Sequence, residues 1–298
     1  MKIRDGIIKK GIVFGTSFLF ICVAIIPATG LPKTAINVDT EKNSIFGLQS
    51  YIAVSWNAND TSEPIIPNGG LRYIALNVTY LIMSGIFGRF ILFFCRDQWA
   101  LVELEIVDQP TWCTAAIGID KLVFSISDVP STQANYLTVA VNENAPAFEP
   151  FAVKIKAKVE PVRGPFGLLS LIKDFEVIDE IILAAAYLPL IDVTPESTLI
   201  NATPGNTTEL PIVIENLGNG KTTVHNNIID YPQEWIIIIP PHVVLEVNES
   251  KEVNLSITPP ENFTGIEAIK IAFTPKYFYN PIFEGTTLYV YIVVRCRS

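Results

Sequence analysis

The chain has 298 residues, 49 % of them hydrophobic, with 30 acidic side chains against 21 basic ones and a formal net charge of −9. That length suits two domains, each large enough for its own core. Past the first ten residues no lysine or arginine cluster occurs, which excludes the electrostatic footprint of a nucleic-acid binder.

Lys2, Arg4, Lys9 and Lys10 precede an apolar stretch from Gly11 to Ile26, followed by Pro27-Ala28-Thr29-Gly30. This pattern reads as an export signal that keeps its basic end inside and moves the rest of the chain to the outer face. Cleavage after Gly30, with Ala28 third from the cut, fits the small-residue preference of signal peptidase and is the first reading, while Pro27 and the length also permit an uncleaved anchor. Residues 1–30 are therefore a signal peptide or signal anchor. Cys22 follows Ile21 and not a small residue, so a lipid anchor is not expected.

The mostly apolar run from Leu71 to Cys95 invites a second membrane span, but it alternates. Ile74, Leu76, Val78 and Tyr80 share one face, and Tyr73, Ala75, Asn77 and Thr79 the other, which is the period of a half-buried strand. Val102, Leu104 and Ile106 then oppose Glu103 and Glu105, and Leu122, Phe124 and Ile126 oppose Lys121, Ser125 and Ser127. Phe151, Val153, Ile155, Ala157 and Val159 oppose Lys154, Lys156 and Lys158. One wet and one dry face is antiparallel logic. Turn signals separate these strands at Pro67 to Gly70, Asp108 to Pro110, Asp128 to Pro130, Asn142 to Pro146 and Pro161 to Gly167. "FGLLSLIKDF" suggests a helical turn.

The pattern restarts near Pro189. Leu210, Ile212 and Ile214 point inward, a turn follows at 216–220, and further strands centre on Lys221–Ile229, Trp235–Ile239, Val243, Val253, Ile269 and Leu288. In "PIVIENLGNGKTTV", Gly218-Asn219-Gly220 is expected to reverse the chain through positive φ angles. The fold class is all-β: two tandem immunoglobulin-like β-sandwich domains, at 31–189 and 190–298, after the N-terminal hydrophobic segment.

Sequons occur at Asn59, Asn77, Asn201, Asn206, Asn248, Asn254 and Asn262, more than chance gives, and make these the candidate N-glycosylation sites of an exported chain. Cys95 and Cys113 flank the Trp99–Val107 strand; in an oxidising compartment they form either a disulfide or two buried thiols, with Cys296 left over. His225 and His242 have no ligand-type neighbours in sequence and read as surface strand residues. Glu103 and Glu105 lie two apart on a wet face and read as solvated, not as an acid–base pair. No catalytic residue, metal ligand or cofactor is assigned, and the chain reads as no enzyme.

"ELPIVIENLGNGKTTV", "YPQEWIIIIPP" and "VVLEVNESKEVNLSITPPENFTGIEAIKIAFTP" resemble the alpha-galactosidase-associated (NPCBM-associated) immunoglobulin-like domain and the related CARDB-like domains of exported bacterial and archaeal proteins. The resemblance rests on Val213, Asn216 and Gly218, on Pro232 and Trp235, and on Val253, Leu255 and Ile257 before Pro259-Pro260. One departure is Asn248-Glu249, where the family carries a glycine turn. Thr34 to Leu188 resembles the partner domain of small archaeal surface proteins. These likenesses imply a spacer or adhesion module with little to say about activity. "VNENAPAFEP", at 141–150, resembles the calcium-binding linker of cadherins, yet Ala140 stands for the leading Asp and Glu143 for another. It is read here as a proline-containing loop inside a domain and away from any junction.

The reading is a non-catalytic, exported cell-surface glycoprotein, tethered or secreted, with a structural or adhesion role. Its expected partner is a surface protein or glycan of unknown identity, and its membrane contact is only through the N-terminal segment. The alternative is an accessory carbohydrate-binding protein whose platform is Trp56, Trp99, Trp112, Tyr277, Tyr279, Tyr289 and Tyr291.

Overall fold

The computed structural model describes residues 48–95, 98–163, 170–172 and 174–297. The leader, its cleavage site and Cys22 lie outside them. The first unit contains β1 (Leu48–Trp56), α1 (Ala58–Ser62), β2 (Arg72–Ser84), α2 (Ile86–Cys95), β3 (Trp99–Asp108), β4 (Cys113–Ile117) and β5 (Lys121–Ser125). It continues through β6 (Ser131–Val141), β7 (Pro150–Val159), a small ribbon of β8 (Val162–Arg163) and β9 (Ser170–Ile172), and β10 (Phe175–Ala184). Two antiparallel sheets, ordered β1-β2-β6-β4 and β10-β7-β3-β5, face each other.

Alternation in the sequence sets this packing. Ile74, Leu76, Val78, Tyr80 and Ile82 of β2 are all buried, as are Val153, Ile155, Ala157 and Val159 of β7, because successive side chains leave a strand on opposite faces. The wet face of β7 is neutralised. Its lysines pair across to β3, Lys154 with Asp108 at 2.8 Å and Lys156 with Glu105 at 2.6 Å, while Lys121 of β5 holds Glu103 at 2.6 Å. Both glutamates of the sequence pair are thus bound to lysines, Glu103 to the exposed Lys121 and Glu105 to the half-buried Lys156.

The second unit comprises β11 (Ile191–Pro195), β12 (Leu199–Ala202), β13 (Thr208–Asn216), β14 (Thr222–Asp230), β15 (Ile236–Ile238), β16 (His242–Leu245), β17 (Ser250–Thr258), β18 (Gly265–Tyr277) and β19 (Leu288–Cys296). Its sheets are β11-β13-β17-β15 and β12-β19-β18-β14-β16. The first strand changes sheet: β11 runs antiparallel to β13, and β12 then runs parallel to β19. One cluster built on Ile212, Ile214, Val224, Leu255, Ile271 and Phe273 fills the space between the sheets. The protein is all-β, two immunoglobulin-like sandwiches in tandem, and among the described residues no sheet mixes strands from the two units.

Three expectations are corrected. The run from Leu71 to Cys95 is a strand only as far as Ser84; after Gly85 the chain turns into α2, whose aromatic residues carry no alternating polar partner to hold them in a sheet. Of the segment read as a helical turn, Ser170–Ile172 form the short strand β9, paired with β8, while residues 166–169 lie outside the described ones. Third, Cys95, Cys113 and Cys296 are buried free thiols, so the Cys95–Cys113 disulfide is not formed. Cys95 belongs to the core cluster around Val78 and Phe124, Cys113 to the one around Ile74 and Leu137. Between them β3 runs ten residues without reversing, about 30 Å at strand rise, so its two flanks lie at opposite ends of the sandwich. A disulfide needs Cα atoms within about 7 Å.

Candidate functional site

The 216–220 turn is where the two sandwiches meet. Neither glycine of Gly218-Asn219-Gly220 has positive φ, and nor does Asn219, which corrects the turn chemistry expected from sequence. Close approach explains the glycines instead. A Cβ on Gly218 would lie 2.2 Å from the Leu188 carbonyl oxygen, and one on Gly220 would lie 3.0 Å from both the Ala147 and Tyr277 side chains and 3.2 Å from Tyr187. The chain that leaves the first sandwich passes directly over these two residues.

Asn219 fastens that crossing. Its Nδ2 donates to the carbonyls of Ala145 at 2.7 Å and Ala186 at 2.8 Å, and its Oδ1 accepts from Leu188 N–H at 2.6 Å. Ala147 N–H donates to the Asn219 carbonyl at 3.2 Å, and Leu217 N–H to the Leu190 carbonyl at 2.9 Å. The side chain is 5 % exposed, so these bonds form where water cannot replace them, and a buried amide so satisfied fixes one arrangement of its partners.

Asn216 shapes the turn from beneath. Fully buried, it accepts from Gly218 N–H at 3.0 Å and donates to the carbonyls of Gly220 at 2.9 Å and Glu246 at 3.0 Å. Thr222 donates to Gly220 O at 2.9 Å, leaving its oxygen to accept from the Tyr187 phenol at 2.8 Å. Burial raises the Tyr187 pKa, so that phenol keeps the proton it donates.

Aromatic packing continues the seam. Phe148 of the first unit lies 5.2 Å from the Tyr277 ring and 4.7 Å from Phe283, both of the second, and Tyr187 lies 5.0 Å from Tyr277. Phe148 has φ +58°, a conformation rarely adopted by bulky residues and costing on the order of 1–3 kcal/mol. Its N–H is tied to the Ala185 carbonyl at 2.8 Å, which holds the ring across the boundary. The loop that resembles a cadherin linker is therefore at the domain junction after all. Beside it opens a pocket of about 460 Å³, lined by Glu143, Asn144, Pro146, Leu190, Leu217, Val247 and Asn248 among others. Asn248 reaches it with φ +60°, a left-handed conformation that asparagine adopts more readily than most residues.

The remaining candidate residues are scattered. All seven sequon asparagines are exposed: Asn77 and Asn254 on outer sheet faces, Asn201 on β12, Asn59 on α1, and Asn206, Asn248 and Asn262 in turns. His225 and His242 are exposed and directly opposite on β14 and β16, with ring centroids 6.3 Å apart. Partial burial, then Lys276 and His242, lowers the His225 pKa. Among the described residues no group of three His, Cys, Asp or Glu side chains is arranged to hold a metal ion, and no helix is long and apolar enough to cross a membrane.

The proposed aromatic platform is not one surface. Trp56 and Trp112 pack on the first core, Tyr277 belongs to the seam, and Trp99 is exposed on the first unit. Tyr289 and Tyr291 share an exposed face of β19, where the Lys270 ammonium sits 4.3 Å and 5.5 Å from their ring centroids. Sequence reasoning missed the seam because its bonds join residues distant in the chain, 31 positions apart for Asn219 and Leu188 and 74 for Asn219 and Ala145. The available signal was a pair of glycines in a turn that could be built without them.

No protein-family model matches the chain, and no curated protein matches it. Among solved structures it is similar to a PapD-like domain of human CEP192, at 16 % identity over 36 % of this chain and 85 % of that one, with a TM-score of 0.28. It is also similar to a Porphyromonas gingivalis protein, at 13 % identity over 85 % and 100 % of the two chains, TM-score 0.26. A third is the Salmonella enterica SafA pilin in complex with the SafB chaperone, at 9 % identity over 83 % and 97 %, TM-score 0.25. Likeness at this level concerns the fold alone.

Proposed function

We propose that the protein is a non-catalytic, exported cell-surface glycoprotein of structural or adhesive role, held at the membrane or released according to the fate of residues 1–30. In this reading the two sandwiches work as one rigid spacer that presents its outer faces to a surface protein or glycan. The observation that carries it is the seam: a buried asparagine and an aromatic cluster fix the relative attitude of two domains that a plain linker would leave free. Exposure of every sequon asparagine supports export, since glycans attached there meet no core. Kinship of residues 190–296 with the alpha-galactosidase-associated and CARDB-like domains, and an archaeal type of surface protein, belong to the same proposal.

Two measurements on the native chain test it. Glycopeptide mapping and N-terminal sequencing of a membrane fraction should find modified sequons and a processed or anchored leader; an unmodified chain in the cytosolic fraction overturns export. Spin labels at Ala134→Cys and Glu252→Cys, one exposed site on each unit, should give a single narrow distance, and a broad distribution overturns the rigid spacer. The alternative carbohydrate-binding reading is tested on the exposed Tyr289 and Tyr291: a glycan array that stays flat, or is unchanged by replacing both tyrosines, counts against it.

A further inference from the structure

We propose that the aromatic face of α2, with Trp99 just beyond it, seats in the interfacial layer of a lipid bilayer as a second membrane contact. The inference rests on the reading that the N-terminal segment brings the chain to a membrane. The helix IFGRFILFFC is apolar on both of its sides: Leu92 and Cys95 are buried in the first core, while Phe90, Phe93 and Phe94 are exposed, Phe90 by 68 %. The outward rings pack on one another, Phe90 to Phe94 at 5.0 Å and Phe93 to Phe94 at 5.6 Å. Trp99, four residues after the helix, is 64 % exposed. Arg89 is the charged residue of the helix and pairs with Asp128 at 3.3 Å. A helix apolar all round is normally covered, and a contiguous exposed apolar patch marks a contact surface.

The geometry of the chain chooses the occupant. Leu48 pairs with Ser84, two positions before the helix begins, so the polypeptide arriving from the leader meets the sandwich at the α2 end. Residues 27–47 join the apolar 11–26 segment to that point, a reach of at most about 70 Å when extended. The tether joins the sandwich at this end, which puts α2 closer along the chain to the bilayer than the seam or the second sandwich. Ten residues are too few to span, whereas exposed phenylalanine and tryptophan beside an arginine are the composition of a helix lying in the interface.

The test uses the full chain reconstituted in phosphatidylcholine vesicles carrying brominated acyl chains, which quench tryptophan only at membrane depth. Part of the emission should be quenched. Trp99→Phe should abolish that quenched component, while Trp235→Phe, altering a residue buried in the second core, should leave it. Phe90→Ser with Phe94→Ser should also abolish it without lowering the melting temperature, since both rings are exposed. A chain that floats with the vesicles but is unquenched overturns this inference alone, as does emission that follows protein concentration and not bromination, the mark of a second copy on the patch. A chain that does not float overturns the membrane reading and this inference with it.

Discussion

Asn219 shows how much one side chain determines at the seam. Removing it strands the Ala145 and Ala186 carbonyls and the Leu188 N–H, and each buried group left without a partner costs about 1–3 kcal/mol. Relaxation and water entry recover part of this, so Asn219→Ala should lower the denaturation free energy by about 2–4 kcal/mol. Asn219→Asp should be worse at neutral pH, because it replaces the donating amide by a carboxylate oxygen aimed at two carbonyls. Urea titration of both variants checks the ranking. Asp179 gives a pH-dependent counterpart. It is buried on β10, and burial raises its pKa above the ordinary 3.8, opposed by a smaller effect of a hydrogen bond from the Val54 backbone. The folded protein then holds this proton more tightly than the unfolded chain. Its contribution to stability is fully present below the ordinary value and is lost as pH rises through the folded one. Asp179→Asn keeps an acceptor for Val54 and removes the charge. Its melting temperature should match the wild type near pH 3 and exceed it at pH 7; an equal difference at both pH values would show that the carboxylate is not the cause.

Elements were legible in proportion to how locally they are specified. The alternation of β2, β3, β7, β13 and β17 is written in consecutive residues, and the burial of Ile74, Val153 and Leu255 follows it directly. In α2 the run FGRFILFFC offers no alternation to follow, so its helical state depends on the end of the sandwich that Leu92 and Cys95 fill. Spacing in sequence likewise misleads about Cys95 and Cys113, because a strand that does not fold back carries its flanks apart. The seam was the least legible of all: Gly218 looks like turn chemistry until the Leu188 carbonyl is placed above it. For the thiols the consequence is measurable. Burial raises the Cys113 pKa to about 11, and burial also raises those of Cys95 and Cys296. Since the thiolate is the reacting form, at pH 8 only about one Cys113 in a thousand is ionised, and access is closed as well. Native protein treated with iodoacetamide should keep these three cysteines unmodified with or without reductant, and denaturation should expose all three. A mass shift on reduction, from a Cys95–Cys113 bond, would contradict the fold at both ends of β3.

At the scale of the whole molecule the question is whether two sandwiches unfold as one. Domains joined by a small polar contact usually move and melt separately, but here the connection carries Asn219, the Phe148–Tyr277–Phe283 rings and the Tyr187–Thr222 bond. Breaking these in either unit exposes groups of the other, so calorimetry of the wild type should show a single transition. Gly220→Val tests the coupling without touching either core, because a side chain there meets Ala147 and Tyr187 of the first unit and Tyr277 of the second. Overpacking of this kind costs about 1–3 kcal/mol, and it falls on the contact and not on the sandwiches. The variant should melt in two steps, with the spin-label distance between the units broadened in parallel. If it keeps one transition at the wild-type temperature and one narrow distance, rigidity comes from somewhere other than the seam. If both change together, the glycine expected to bend the chain will have been shown to serve instead the close passage of one domain over the other, and with it the coupling of two sandwiches into one unit.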